Sequence, residues 1–363
     1  MATSFKTFDP GKDSVVTRNL LHEAIPITGS IISGTYGLNN IKNYSHGMFQ
    51  SVYDYPYLSS SANHIIDLTC GYSNNSVLSG TSATHLQNAK KINIYNEMAQ
   101  VLAGFTAAGA VREFDKDGDL TTGDKLQQAY FINFTRLLAK DEIKKGSFSI
   151  ELGTGTAYTS PFATTVTITD ASGANGYKVN SPAGEYGILF AKNSTGTPLD
   201  GGSTTIGAPC GLLYYQAGIA VLSSSAFGSL LTTPVSMSRT DGSAVTWASA
   251  SVGSVLTGSA ISGNCDDLRN RLQNVSFNNT TELNSTIYFC RADNTDFNYS
   301  ANPTYLSDSK IVVKTDSQDV PVTYMTSVGL YSADNELLAV AKLSEPLKKD
   351  PTTEFTVRVR LDY

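Results

Sequence analysis

The chain has 363 residues, 40% of them hydrophobic, so it can bury the core of two domains or of one domain with a large insertion. Charged residues make up only 16%, against roughly 25% in typical soluble domains, and Ser, Thr, Asn and Gly take their place. The net charge is −6 and basic residues are not clustered, which argues against a nucleic-acid partner because phosphate neutralisation needs clustered cations.

The cysteines are widely spaced and form no CxxC pair, which indicates free buried thiols and not a disulfide framework. They are Cys70, Cys210, Cys265 and Cys290. The first nine residues contain no apolar run of signal-peptide length. We therefore expect the chain to be synthesised and to fold in a reducing cytoplasm.

Two amphipathic helices are predicted after an N-terminal stretch rich in tyrosine. The first spans Leu86 to Phe105, where apolar residues recur at steps of three and four and define one face. That face consists of Ile92, Tyr95, Met98, Ala99 and Leu102. The second spans Asp124 to Ile143, between Thr122 as a cap and Gly146 as a terminator. Its stripe consists of Leu126, Tyr130, Phe134 and Leu137.

From Ser147 onward, alternating apolar residues predict strands. Between residues 201 and 264 the charged residues are Arg239 and Asp241, where average usage would give about sixteen. Gly211 to Leu231 is uncharged and long enough to span a bilayer, but its tyrosines, serines and glycines argue against a span. We interpret the region as buried strands and loops, partly covered by another chain, with an ordinary core of small residues as the alternative.

The C-terminal residues predict an antiparallel meander. Thr323 to Tyr331 and Leu337 to Leu343 are strand-like runs separated by turn residues 333–336. We expect the ladder to stop at Pro346 and to restart after Pro351, because proline cannot donate to a sheet. In the last strand Phe355, Val357, Val359 and Leu361 alternate with Thr356, Arg358, Arg360 and Asp362. This period of two predicts one buried and one exposed face.

These patterns together predict a β-rich α+β fold in three parts. A mixed α/β region with two amphipathic helices is expected over residues 1–146. A β-sandwich-like insertion domain follows over 147–275. The last part, 276–363, is expected to be an antiparallel β region that packs back on the N-terminal region.

No local motif for catalysis is present in the sequence. G-x-S-x-G, HExxH and Walker A are absent, and the histidines lack the spacing of a helical metal site. His22, His46, His64 and His85 are therefore expected to be hydrogen-bonded scaffold residues. We predict no catalytic, cofactor-binding or metal-binding residue, although a pair of carboxylates for glycosidic cleavage would leave no local signature.

The run Asp115 to Asp119 invites comparison with a calcium-binding loop. In the helix-loop-helix calcium site, glycine occupies position six and a bidentate Glu position twelve. Here Gly118 is fourth and Leu126 is twelfth. A polar turn between the two predicted helices is the interpretation that we favour.

Four blocks of the chain carry a family resemblance. They are NLLHEAIP at 19–26, NIKNYSHGMFQSVYDYP at 40–56, FNNTTELNSTIYF at 277–289 and FNYS at 297–300. With the C-terminal meander, they resemble virion structural proteins of contractile-tailed, T4-like bacteriophages, notably those that infect marine bacteria. TSVGLY at 326–331 followed by LLAVA at 337–341 is similar to a hairpin of phage tail and baseplate proteins.

The resemblance implies a non-enzymatic virion component, located in the tail or baseplate, that packs with other virion proteins and with its own copies. The alternatives are a neck, collar or capsid-decorating protein of the same virion, and a receptor- or glycan-binding β-module or depolymerase with a cleft in 150–270. The chain would be made in the host bacterial cytoplasm and would localise to the virion, with no nucleic-acid or membrane partner.

Aromatic residues are the candidate interface anchors, because aromatics dominate binding hot spots. They are Tyr44, Phe49, Tyr53, Tyr55, Tyr57, Tyr214 and Tyr215. Core packing is the alternative role for the same side chains.

Overall fold

The fold was analysed in a computed structural model. It describes residues 5–22, 27–30, 38–119, 123, 125–138, 141–153, 162, 165–193, 196, 207–224, 236–238, 244–246, 252–298, 306–307, 310–311, 318 and 320–362. The chain is β-rich with large antiparallel sheets, as the sequence predicts. It divides into two compact units, a larger unit of Leu21–Thr281 and a smaller unit of Met1–Leu20 with Glu282–Tyr363.

The described secondary structure is numbered here in chain order. The first strands are β1 (Ser14–His22), β2 (Ile27–Ser30), β3 (Ile41–Asn43), β4 (Gln50–Tyr53), β5 (His64–Tyr72), β6 (Phe114–Asp115), β7 (Lys125–Leu126), β8 (Gln128–Asn133), β9 (Glu142–Ile143), β10 (Ser149–Gly153), β11 (Thr165–Thr169) and β12 (Tyr186–Asn193). The others are β13 (Ala208–Tyr214), β14 (Ile219–Ser223), β15 (Ser236–Ser238), β16 (Ala244–Thr246), β17 (Leu272–Phe277), β18 (Asn279–Ala292), β19 (Leu306–Ser307), β20 (Lys310–Ile311), β21 (Thr323–Tyr331), β22 (Leu337–Lys349) and β23 (Phe355–Asp362). The helices are α1 (Asn88–Leu102), α2 (Gly173–Gly176), α3 (Val252–Gly258) and α4 (Ile261–Arg269), with 3₁₀ turns at Leu38–Asn40 and Thr135–Leu137.

The larger unit is built on one eleven-stranded sheet, ordered β2-β17-β10-β11-β12-β13-β14-β8-β5-β4-β3. The register of its strands is antiparallel throughout, and β14 joins β8 with Val221 opposite Phe131. Strands from 147–275 thus lie between strands that come from earlier in the chain. The described residues of 147–275 do not form a separate sandwich. The division into units after residues 20 and 281 also differs from the expected boundary at residue 146. Alternating side chains identify strands, but they do not identify the partners of those strands.

The helix predicted over Leu86 to Phe105 is present as α1. The helix predicted over Asp124 to Ile143 is wrong, because its described residues form β7, β8, a 3₁₀ turn and β9. In β8 the consecutive residues Phe131 and Ile132 are both buried. A central strand that is covered on both faces loses its alternation, and a helical stripe can then be selected from its apolar run.

Helices cover both faces of the sheet at β5. At Gly71, the backbone of α1 comes so close that an added Cβ would collide with the Lys91 carbonyl oxygen and lie 3.0 Å from the Tyr95 nitrogen. Its neighbour Cys70 lies on the opposite face, where its sulfur accepts a 3.3 Å hydrogen bond from Asn264 of α4. The central strand β5 is therefore packed between α1 and α4.

Buried aromatic rings fill the core beneath α1. Tyr95 meets Phe114 edge to face at 5.4 Å, Phe114 lies 6.4 Å from Tyr214, and Tyr214 stacks on Tyr186 at 5.0 Å. Residues 207–224 of the charge-poor region contribute largely buried strands to this core. Because the strands of 207–224 are buried in the chain's own sheet, their lack of charge does not require a covering partner. Among the described residues, no helix is both long and apolar enough to cross a bilayer.

The cysteines are all free. Cys70, Cys210 and Cys265 are buried, and Cys290 is half-buried.

The smaller unit contains the sheet β1-β18-β23 and the hairpin β21-β22. The alternation predicted for the last strand is confirmed, because each apolar residue of β23 is less exposed than its polar neighbours. The predicted meander is wrong in its pairing, since β23 pairs with β18 and not with β22. The turn of the hairpin lies where turn residues predicted it, with Asn335 at φ 63°.

Strand β22 continues past Pro346, where the sequence analysis predicted its end. The pairs Met325–Leu347 and Ser327–Lys342 flank an irregular segment in which β22 has four residues and β21 has one. Pro346 lies in this bulge and is not required to donate a hydrogen bond to the ladder.

Asp170 connects the end of β11 to the loop before β10. Its carboxylate accepts hydrogen bonds from the backbone N–H groups of Gly146 (2.7 Å) and Phe148 (2.9 Å) and from the Tyr215 hydroxyl (3.1 Å). Burial outweighs these donors and raises the pKa of Asp170 to about 6.

A raised carboxyl pKa makes the folded state bind a proton more tightly than the unfolded state, whose Asp pKa is about 3.9. The contribution of Asp170 to the free energy of unfolding should therefore fall by about 3 kcal/mol as the pH rises from about 4 to about 6. Asp170→Asn should remove this part of the pH dependence of the free energy of unfolding. Chemical denaturation at several pH values measures this slope. Tyr215→Phe removes one donor but keeps the carboxylate, so it should retain the slope. An unchanged slope in Asp170→Asn would contradict the assignment.

Gly71→Ala should destabilise the larger unit by about 1–3 kcal/mol, because the new Cβ forces two backbones apart. Chemical denaturation followed by circular dichroism measures this loss. Gly258→Ala is the control, because nothing lies within 4 Å of a Cβ added there. Wild-type stability of Gly71→Ala would show that α1 does not depend on this approach.

Candidate functional site

A cleft of about 400 Å³ opens between α1 and the large sheet. Its lining includes Asp67, Phe131 and Asn133 of the sheet and Ile94, Glu97 and Met98 of α1. Asp67 and Asn133 lie on the same face of the sheet, because they are directly paired across β5 and β8 and side chains at paired positions share one face. The loop residues His46, Met48 and Phe49 close the side next to the edge strand β3.

Asp67 is held in place by two hydrogen bonds to one of its oxygens. Its Oδ1 accepts a 2.5 Å bond from the Ser51 hydroxyl and a 2.7 Å bond from His64 Nε2. Ser51 is its cross-strand neighbour on β4. In the described part of the chain, Oδ2 receives no hydrogen bond and is the oxygen left for contacts in the cleft.

Ser51, Asp67 and His64 are the residue types of a hydrolase triad, but their connectivity differs. In a triad, histidine accepts the proton of serine and aspartate orients the histidine. Here, serine and histidine both bond to the same carboxylate oxygen, and Ser51 is fully buried. This arrangement positions Asp67 and does not activate Ser51 as a nucleophile.

An aromatic group, called here the edge cluster, lies beside the cleft at β3 and β4. It consists of Tyr44, His46, Phe49, Tyr53, Tyr57 and His64. Tyr44 lies 4.6 Å from Phe49 and 5.2 Å from His46, and Tyr53 stacks on His64 at 5.1 Å. Burial, followed by interaction with Tyr44, raises the pKa of Tyr53, which links the two halves of the cluster.

The structure brings four of the candidate interface residues together in the edge cluster, namely Tyr44, Phe49, Tyr53 and Tyr57. Tyr55 is 56% exposed nearby in sequence and is available to a partner. Tyr214 and Tyr215 are completely buried within the larger unit. These two are core residues, and we remove them from the candidate interface set.

The three histidines whose side chains are described each have a hydrogen-bond partner. The ring of His46 accepts at Nδ1 from the N–H of Met48 (3.1 Å), so the neutral ring carries its proton on Nε2. His64 pairs with Asp67, and His85 Nδ1 lies 2.7 Å from the Gly80 carbonyl oxygen. The side chain of His22 lies outside the described residues.

The acidic run at 115–119 forms a turn in which the carboxylate oxygens of Asp115, Asp117 and Asp119 lie within 4.8 Å of one another. The ammonium of Lys125 forms an ion pair with the buried Asp115. Burial, and then a hydrogen bond with Asp117, raises the pKa of Asp115. The ion pair and the shared hydrogen bond account for this cluster as part of the structure of the turn.

The sequence analysis missed Asp67 and Glu97, because neither belongs to a recognisable motif. They are 30 residues apart, and they line one cleft only because α1 returns over β5. The sole local signal is the interruption of the apolar run of β5 by a charged residue. The described residues of 150–270, where the glycan-binding alternative would require a cleft, contribute Ile219 to the lining.

The chain was compared with known proteins at the level of sequence and of fold. No protein-family model, no curated protein and no solved structure matches it. The phage resemblance of the four sequence blocks therefore stays a prediction.

Proposed function

We propose that this chain is a non-enzymatic structural subunit of a tailed-phage virion, located in the tail or baseplate, that works by packing against several neighbours. The four sequence blocks support a virion role. The physical support comes from the smaller unit, whose hairpin exposes apolar side chains and whose own core is small.

The observation that carries the proposal is an apolar patch at the tip of the β21-β22 hairpin, called here the tip patch. Tyr331, Leu337, Leu338 and Val340 are exposed by 45%, 53%, 69% and 58%. The ring of Tyr331 and the side chain of Leu337 lie over Gly329, where an added Cβ would be 2.9 Å and 3.4 Å from them. A group of exposed apolar side chains at the tip of a hairpin favours burial of that surface in a complex.

The smaller unit buries few of its apolar side chains. Among its described residues, the buried apolar ones are Ala292, Leu330 and Val359. In the described sheets, β21 pairs with β22 alone, and an isolated two-stranded hairpin is marginally stable in water. Contacts with neighbouring subunits would supply the missing burial, as they do in symmetric assemblies.

The alternative within the same particle is a neck, collar or capsid-decorating position. Chemical cross-linking of intact virions distinguishes these positions, because the tail and baseplate proposal requires cross-links to tail or baseplate proteins. Cross-links confined to neck or capsid proteins would favour the alternative.

The tip patch predicts that the isolated chain self-associates and that lysine substitutions weaken this association. The double variant Leu338→Lys with Val340→Lys should raise the dissociation constant at least about tenfold, since it buries two charges in an apolar contact. Sedimentation velocity over a concentration series measures the effect. Thr326→Lys, at an exposed polar position of the same hairpin, is the matched control and should behave as the wild type.

Circular dichroism of each variant should match the wild type, because all three positions are exposed. A wild-type chain that stays monomeric at its highest soluble concentration would remove the physical support for the proposal. Equal association of the wild type and the double variant would show that the tip patch is not the contact.

A further inference from the structure

We propose that the cleft between α1 and the large sheet binds an ammonium group carried on a small apolar body. This inference does not depend on the tip patch, because the cleft lies in the larger unit and the tip patch lies in the smaller unit. Its volume of about 400 Å³ lies within the usual range for small-molecule sites, about 300–1,000 Å³.

The apolar part of the lining determines the body of the ligand. Met48, Ile94 and Met98 provide aliphatic and thioether surface, and Phe49 and Phe131 provide aromatic rings. Methionine side chains adapt to irregular shapes, and their sulfur atoms make favourable contacts with aromatic groups. A compact hydrocarbon or aryl group of a few carbon atoms is the body that such a lining accommodates.

The charges in the lining determine the polar group of the ligand. Asp67 and Glu97 both line the cleft, and no Lys or Arg is among its described lining residues. Two carboxylates that line one partly apolar cleft favour a positively charged ligand, because both attract it. Aromatic rings in the lining add a preference for cations over neutral groups.

The carboxylate of Asp67 is already oriented in the absence of a ligand. Ser51 and His64 occupy its Oδ1, which fixes the carboxylate without consuming Oδ2. A carboxylate whose orientation is already fixed loses little rotational freedom on binding. Glu97 lies on the exposed surface of α1 and can close over the ammonium from the opposite wall.

The ammonium could be a free amine or a lysine side chain of a partner protein, and two probes distinguish these sources. Titration calorimetry of the full-length chain would use phenethylammonium and blocked lysine (N-acetyl-lysinamide). Binding of either probe supports the proposal. Tighter binding of blocked lysine identifies a protein side chain as the source, and tighter binding of phenethylammonium identifies a free amine.

Selectivity for the charge is tested with two relatives of the aryl probe. We expect 2-phenylethanol, the neutral analogue, to bind at least tenfold more weakly than phenethylammonium. The anionic 3-phenylpropionate should not bind. Equal binding of the neutral and cationic probes would overturn the proposal, and so would failure of both ammonium probes to bind.

Variants locate the binding in the cleft. Glu97→Lys is the primary variant because Glu97 is exposed, and it should weaken binding of the ammonium probe at least tenfold without loss of fold. Asp67→Asn should weaken binding at least fivefold, with circular dichroism as a check on its Ser51 and His64 contacts. Asp334→Asn, in the turn of the β21-β22 hairpin, should bind as the wild type. Wild-type affinity in Glu97→Lys and Asp67→Asn together would contradict the site.

Discussion

The close approach of α1 to Gly71 of β5 is the constraint on which the larger unit depends. It brings a helix backbone against a strand backbone with no side chain between them. From this contact, the Tyr95 hydroxyl reaches the Leu126 carbonyl oxygen at 2.7 Å, and buried Lys91 donates to the Leu256 and Ser259 carbonyl oxygens. One glycine thereby allows a single helix to bond to β7 and to the α3 region. The cleft lies beside the next turn of the same helix, at Ile94, Glu97 and Met98.

The sequence was a good guide where the structural signal is local. The alternation in β23 depends on neighbouring residues, and the turn before β22 depends on the tolerance of Asn335 for positive φ. The helix α1 was also predictable, since one face is buried and the other is exposed. Strand β8 was not, because burial on both faces removes the alternation that separates a strand from a helix.

Long-range features could not be predicted from the sequence. The absence of charge in 207–224 shows that these residues avoid water, but it does not show which chain covers them, and Tyr214 and Tyr215 belong to the chain's own core. The cleft depends on the meeting of Asp67 with Glu97, which requires the helix to pack over β5. The order of the eleven strands likewise depends on pairings between distant segments.

The free cysteines of the larger unit have a chemical consequence. Burial raises the pKa of Cys70 and Cys265 and raises that of Cys210 to about 12, so these sulfurs are protonated and shielded at neutral pH. Thiolates, and not thiols, carry out disulfide exchange and react with oxidants. The covalent state of these side chains is thus set by packing and not by the surrounding redox potential. The larger unit can therefore pass from a reducing to an oxidising medium while these three side chains stay free thiols.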